Sequence, residues 1–354
     1  MRTIDWVTGD GPGSGHIRLV DQTRLPGELV ELHITTVDAL VDAIRRLAVR
    51  GAPALGVAGA MGVALATQNL PADQVEPAVA RLRAARPTAV NLALGVDTAW
   101  AAARRGGAAA ALEAALTLRD EDIAGCRAMA GLGVELLGRL ASDRRELTVL
   151  TLCNTGALAA VEHGTALGVV ERLHAEGRLR RALVCETRPL LQGARLTTWE
   201  LDRMGAPYQL IVDSAAGSVL ASGEVDAVLV GADRIAANGD TANKIGTFAL
   251  AVAAGYAGVP FVVVAPETTV DPATATGADI QIEDRGPEEV RAFGGVPTAP
   301  PDAPVRNPAF DVTPAALITA VVTDQRVVEA KPSGSLRMDR ADAEHRMSLT
   351  EEEV

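Results

Sequence analysis

The spacing of apolar residues changes once along the chain. From Thr35 to about Leu140 they recur at three- and four-residue intervals. Val37, Leu40, Val41, Ile44 and Leu47 follow Thr35 and Thr36, whose hydroxyls suit a helix N-cap. Alanine-rich stretches at 71–85, 88–104 and 108–140 continue the helical rhythm, interrupted by Pro87 and by Gly106-Gly107. The longest apolar stretch, 52–66, is rich in small residues and shorter than the ~20 residues a bilayer crossing requires, so it predicts a buried helix. Ahead of these, 17–20 and 29–34 predict a small strand pair.

Beyond Arg145 the pattern becomes short runs rich in β-branched residues, at 148–152, 182–185, 208–212, 227–230 and 261–264, each followed by a helical or loop segment. Such βαβ alternation predicts a mainly parallel sheet with both faces covered. The expected class is therefore α/β. A mainly helical N-terminal domain (1–145) precedes a doubly wound, Rossmann-like α/β domain (146–330), and a polar segment without apolar periodicity (331–354) reads as a disordered tail. Open sheets of this kind bind ligands outside the carboxyl ends of their strands. The unusual polar residues fall just there: Cys153-Asn154-Thr155-Gly156, Glu186-Thr187-Arg188, Asp213-Ser214, Gly231-Ala232-Asp233-Arg234 and Pro266-Glu267. One site assembled from several strand ends is expected.

Composition narrows the chemistry. In 354 residues, 45 acidic against 33 basic side chains give a net charge of -12, a field that repels the nucleic acid backbone. No nucleic acid and no membrane partner is expected. The three cysteines, Cys126, Cys153 and Cys185, have no CxxC spacing, so neither a disulfide framework nor a zinc site is suggested. The first 13 residues contain no apolar run of the secretory type, and with the free thiols this points to the cytoplasm.

Only two of the basic residues are lysines, Lys244 and Lys331, so a retained lysine stands out. Lys244 follows the Asn238-Gly239-Asp240 turn signal and reads, with Asn243, as opening the next helix, placed for a phosphate or sugar oxygen. Cys153 follows an apolar strand and precedes Asn-Thr-Gly and the helical stretch 157–170. That placement sets free amides and a helix dipole near its sulfur, and the same turn suits a phosphate. Arg50, Gly51 and Ala52 with Pro53 combine a cation, a close-approach glycine and a helix start. Arg86 and Arg188 are cations beside prolines. Asp233, between an apolar strand and Ile235-Ala236-Ala237, is a carboxyl whose pKa burial should raise, apt to donate a proton. His163 reads as structural. The GxxxxGK[ST], GxGxxG and HExxH signatures are missing.

The strings VRGAPALGVAGAMG (49–62), RPTAVNLALGVD (86–97), LTLCNTGALA (150–159), ETRPLLQGARLTTWEL (186–201), GADRIAANGDTANKIGT (231–247) and NPAFDVTP (307–314) resemble the methylthioribose-1-phosphate isomerase family, whose relatives include regulatory subunits of translation initiation factor 2B. The resemblance covers about 16–328. It implies conversion of 5-methylthioribose 1-phosphate to 5-methylthioribulose 1-phosphate in methionine salvage, with a sugar phosphate as partner, no metal or organic cofactor, and a homodimer. Carried over by position, substrate contacts fall on Arg50, Gly51, Ala52, Arg86, Gln192, Asn243 and Lys244, the proton donor on Asp233 and the transition-state-stabilising cysteine on Cys153. Leu152, where the family more often has His, Gly217 and the segment after Glu329 depart from the pattern.

Because the anomeric oxygen carries phosphate, the sugar cannot simply open to a free aldehyde. Protonation of the ring oxygen by Asp233 meets that demand. Hydrogen then moves from C2 to C1, as a proton with Cys153 as base or as hydride in a dry pocket. Two rival readings keep the same residues: isomerisation of ribose 1,5-bisphosphate or 5-deoxyribose 1-phosphate, or a non-catalytic sugar-phosphate-binding regulatory subunit. Extra cations would favour a 5-phosphate, and apolar contacts a methylthio or methyl group.

Overall fold

The computed structural model describes residues 1–9, 14–86, 89–330 and 336–338. Three antiparallel strands open the chain, β1 (Ile4–Thr8), β2 (Gly15–Val20) and β3 (Glu31–Ile34). The sequence predicted a pair. The third strand, β1, signals itself only by Ile4 and Trp6 alternating with polar residues, both of them buried. Helices α1 (Val37–Arg45), α2 (Ala52–Asn69), α3 (Ala72–Arg83) and α4 (Val90–Leu140) follow. Thr36 caps α1, its hydroxyl accepting from the Ala39 amide at 3.2 Å. α2 is the predicted small-residue helix and is buried from Ala54 to Ala66. α4 is two helices joined at Gly106-Gly107, whose backbone leaves the helical region.

Small residues allow α2 and α4 to approach closely. A Cβ on Gly95 would overlap the Gly56 carbonyl oxygen, so the helices meet backbone to backbone. Packing changes within α4. Residues up to Ile123 belong to the core shared with β1–β3 and α1–α3, and from Cys126 onward α4 packs into the core of the following sheet.

That sheet has seven strands. In chain order they are β4 (Leu147–Thr151), β5 (Leu179–Cys185), β6 (Tyr208–Ile211), β7 (Ala227–Val230), then, after β8 (Arg234–Ala236) and β9 (Thr241–Lys244), β10 (Phe261–Val264). The short β11 (Val270–Asp271), β12 (Ala292–Phe293), β13 (Val296–Pro297) and β14 (Phe310–Thr313) precede its last two members, β15 (Ala320–Val322) and β16 (Val327–Glu329). The spatial order is β16-β15-β10-β7-β4-β5-β6, parallel except for the edge strand β16. α5 (Ala166–Ala175), α6 (Thr198–Met204), α7 (Ala216–Ala221) and α8 (Thr247–Ala257) lie between the strands, and the short α9 (Glu288–Arg291) precedes β12. β4, β7 and β10 are buried throughout, which is why they read as unbroken apolar runs.

The chain runs from β4 outward through β5 and β6 and then returns to place β7 on the other side of β4. The β4/β7 seam is thus the topological switch point. A second sheet, β11-β8-β9-β14, stands beside it and was not foreseen, because β8 and β9 are only three and four residues long. Of the expected tail, residues 331–335 and 339–354 lie outside the described ones. Leu336 and Met338 are buried, and the Met338 amide donates to Ala237 O at 3.1 Å.

Gly95→Ala should cost about 1–3 kcal/mol by overpacking the α2/α4 crossing. Gly131→Ala, on an exposed turn of α4 with no atom near the added carbon, should gain about 0.5–1 kcal/mol from reduced unfolded-state freedom. Urea unfolding of the two variants against the wild type measures both.

Candidate functional site

The β4/β7 register pairs Thr151 with Leu229; continued two residues, it sets Cys153 level with Gly231, just before Asp233. A cavity opens there. Arg50, Gly51, Ala52, Arg86, Cys153, Gln192, Asp233, Asn243 and Lys244 all line it, drawn from six separate stretches of chain. Leu47, Pro53, Leu190, Pro266 and Phe310 add apolar wall.

Helix α2 points its first turn at the cavity. Its N-cap, Gly51, provides no side-chain hydrogen bond to the first amides, so the positive end of an 18-residue helix is open for an anion. The other helix starts nearby are already occupied. Asp311 accepts from the Gly246 and Phe248 amides at 2.7 and 3.0 Å and caps α8, and the Thr155 hydroxyl accepts from the Leu167 amide at 3.0 Å in the first turn of α5.

Arg50 is 8% exposed, and each of its three side-chain nitrogens donates to a neutral acceptor. Its Nε donates to Gln22 Oε1 at 3.0 Å, Nη1 to Asn154 O at 2.8 Å, and Nη2 to Asn154 Oδ1. Burial pulls its pKa below the usual arginine value, opposed by Cys153, Glu200 and Asp233. Lys244 donates to Ala309 O at 3.0 Å and sits 4.4 Å from the Phe310 ring centroid; burial lowers its pKa. Asp233 is pushed up from the ordinary carboxylate value by burial, with Lys244, Arg86 and Arg50 pulling the other way. The side-chain oxygen of Gln192, Oε1, is buried without a partner among the described residues, an acceptor available to a hydroxyl-bearing ligand.

Several expectations need correction. Cys153 does not sit at a helix N-terminus. A short 3₁₀ turn, Ala157–Ala159, intervenes, and α5 begins only at Ala166. Cys153 instead adopts a left-handed backbone (φ 65°), fixed by its amide donating to Thr187 Oγ1 at 2.8 Å and by the Thr197 hydroxyl donating to its carbonyl at 2.6 Å. The next two amides after the Asn-Thr-Gly turn are committed to structure, Ala157 and Leu158 donating to the Glu200 carboxylate at 2.7 and 3.4 Å. Asn243 and Lys244 do not open a helix; they end β9, paired with β14, and α8 starts at Thr247. Asp213 accepts the Thr187 and Arg188 amides, both at 2.7 Å, and the Arg188 guanidinium turns to Val290 O and the Phe293 ring. His163 precedes α5 rather than lying in it, and contacts Glu171 and Arg127.

The sequence reading missed Arg285, a further cation lining the cavity. Its Nε and Nη2 reach Glu289 at 2.7–3.0 Å, and Nη1 reaches Glu283 at 3.1 Å. Nothing short of the tertiary fold marks it, because its own segment is acidic. Glu200, 5% exposed, was also missed. Its only signal is a carboxylate directly beside Leu201 on the buried face of α6. Among the described residues no group of three or more His, Cys, Asp or Glu has a metal-binding arrangement, and no helix is long and apolar enough to cross a membrane.

Residues 48–330 match the family model described as the Initiation factor 2 subunit family. A methylthioribose-1-phosphate isomerase of Anaeromyxobacter sp. (strain K) is 51% identical over 90% of this chain and 93% of its own. A probable bifunctional methylthioribose-1-phosphate isomerase/methylthioribulose-1-phosphate dehydratase of Nocardia farcinica is 52% identical; the alignment covers 93% of this chain but only 60% of that longer relative. A 5-deoxyribose 1-phosphate isomerase of Moorella thermoacetica is 47% identical over 89% and 92%. Among solved structures, the 5-methylthioribose 1-phosphate isomerase of Pyrococcus horikoshii superposes with TM-score 0.83 at 40% identity, covering 93% and 92% of the two chains. The translation initiation factor eIF-2B subunit delta of A. fulgidus superposes with TM-score 0.80 at 42% identity, covering 95% and 98%.

Arg50→Met should destabilise the fold by about 3–5 kcal/mol, because it strands the Asn154 and Gln22 acceptors in a buried network. Chemical denaturation measures the loss.

Proposed function

The chain belongs to the initiation factor 2 subunit family, and from that membership we propose that it is an aldose–ketose isomerase converting 5-methylthioribose 1-phosphate to 5-methylthioribulose 1-phosphate in methionine salvage. The observation that carries the reading is the meeting, in one cavity, of an uncapped helix N-terminus, four cations and a carboxyl raised by burial.

The phosphate sits at the α2 N-terminus against Gly51 and Ala52, with Arg50, Arg86 and Lys244 supplying charge. Gln192 and Asn243 take the sugar hydroxyls. Asp233 gives its proton to the ring oxygen as the bond from C1 to that oxygen breaks. Hydrogen passes from C2 to C1 beside Cys153, and the 2-hydroxyl proton is released as C2 becomes the ketone, so no net proton is consumed. Leu47, Pro53, Leu190 and Phe310 suit an apolar substituent at C5.

The relative named 5-deoxyribose 1-phosphate isomerase supports a second substrate of the same kind, with hydrogen in place of methylthio at C5. A 5-phosphate fits less well. Arg285, the cation left over for it, is already held by Glu283 and Glu289. Side-by-side NMR assays should give kcat/KM highest for the methylthio sugar, lower for the 5-deoxy sugar and lowest for the bisphosphate; a preference for the bisphosphate overturns the reading.

Asp233→Asn should lower turnover by about 10²–10⁴-fold while the variant still binds the sugar phosphate by calorimetry. Only the protonated carboxyl donates, so wild-type kcat/KM should fall as pH rises through the Asp233 pKa, which burial places above the ordinary carboxylate range. That alkaline fall should vanish in the residual activity of the variant.

The working unit is a cytoplasmic homodimer. Phe248, Val252 and Tyr256 form an exposed apolar stripe at four-residue spacing along α8, suited to a second copy. Sedimentation should give twice the 36.6 kDa chain mass, and Val252→Glu should shift it toward one chain.

A further inference from the structure

We propose that Glu200, which does not line the cavity, is a positioning residue for its anion-binding end: through the Asn154 amide it fixes the attitude in which the Arg50 guanidinium meets the substrate. The proposal rests on the reading of Arg50 as a phosphate contact and adds how that contact is prepared.

The hydrogen bonds close a ring. Glu200 Oε1 accepts from Asn154 Nδ2 at 2.7 Å, Asn154 Oδ1 accepts from Arg50 Nη2, and Arg50 Nε donates to Gln22 Oε1 at 3.0 Å. Gln22 Nε2 donates to Leu158 O at 2.7 Å, and the Leu158 amide returns to Glu200 Oε1 at 3.4 Å. Glu200 Oε2 takes the Ala157 amide, and Thr197 Oγ1 accepts a second bond from Asn154 Nδ2 at 3.2 Å. Gly156 makes room for this, since a Cβ there would collide with the Glu200 carboxylate.

The ring can be satisfied one way only. Reversing the Asn154 amide would set its NH₂ against a guanidinium and its oxygen against a carboxylate, so Glu200 dictates the amide and the amide dictates Arg50. The interposed amide also keeps the two charges apart. Among the described residues Arg50 has no carboxylate within ion-pair distance, although Glu200 lies one side chain away. A direct pair would neutralise the cation. A neutral relay passes on orientation and leaves the charge free for a dianion.

The test measures KM for methylthioribose 1-phosphate, kcat, and, by calorimetry, the dissociation constant of inorganic phosphate, in the wild type, Glu200→Gln and the double variant E200Q/N154D. Glu200→Gln should raise KM and the phosphate constant by about tenfold or more, with kcat within about threefold. A fall in thermal stability with both constants unchanged, or a fall in kcat alone, overturns the proposal. The double variant moves the carboxylate onto position 154, restores a donor facing an acceptor between positions 200 and 154, and pairs Arg50 directly. It should regain stability yet bind phosphate weakly. Wild-type phosphate affinity in it overturns the proposal even where Glu200→Gln alone fails to fold. Absence of wild-type turnover on every pentose 1-phosphate would fail the functional reading, and the phosphate constants would still decide the role of Glu200.

Discussion

The parallel pairing of β4 with β7 is the constraint on which the rest depends. The strands are neighbours in space, yet β5, α6 and β6 lie between them in sequence, so their contact closes only when the whole first half of the sheet is laid down. Both strands are fully buried, and a one-residue slip would turn core side chains onto the wrong face. The same register fixes where Cys153 and Asp233 emerge. A pairing held by apolar burial thus sets the separation of two functional groups, one of which, Cys153, is itself buried at the edge of the apolar core.

What was legible in the sequence follows from this. β4, β7 and β10 were readable because burial on both faces demands unbroken apolar runs, and the polar residues after them were readable because the strand ends define the crevice. The α2 start at Gly51-Ala52-Pro53 was readable from local backbone chemistry. The second sheet was not. Thr241–Lys244 owes its extended form to pairing with Phe310–Thr313, a partner more than sixty residues away that no local pattern announces. The helix expected straight after Cys153 failed for the opposite reason. Asn154, Thr155 and Gly156 are poor helix formers, and the turn at Ala157–Ala159, its first amides held by the Glu200 carboxylate, ends before α5 begins at Ala166.

The net charge of -12 says little about the cavity. Arg50, Arg86, Lys244 and Arg285 converge in a protein that is acidic overall, and the fold manages each cation differently. Arg285 is quenched by two glutamates, Arg86 is 3.6 Å from Glu283, Lys244 leans on a carbonyl and an aromatic face, and Arg50 is held by neutral oxygens alone. This graded neutralisation gives the cavity a direction. Neither Lys244 nor Arg50 has a carboxylate in direct contact, and Arg50 stands just before the α2 N-terminus, where the helix dipole adds to it, so an anion entering the cavity is drawn to that end.

Two buried carboxyls then take opposite parts. Burial pushes both Glu200 and Asp233 up, but Glu200 receives the Asn154, Ala157 and Leu158 donors, which favour its charged form and commit both oxygens to structure. The Asp233 side chain makes no hydrogen bond among the described residues, and the chief influence opposing its protonation is the field of Lys244, Arg86 and Arg50. These are the cations assigned to the phosphate. A dianion seated against them offsets their pull on Asp233 and raises its pKa further, so substrate binding itself favours the protonated carboxyl that ring opening needs. The acid is therefore strengthened in population, not in intrinsic acidity, by the ligand on which it acts.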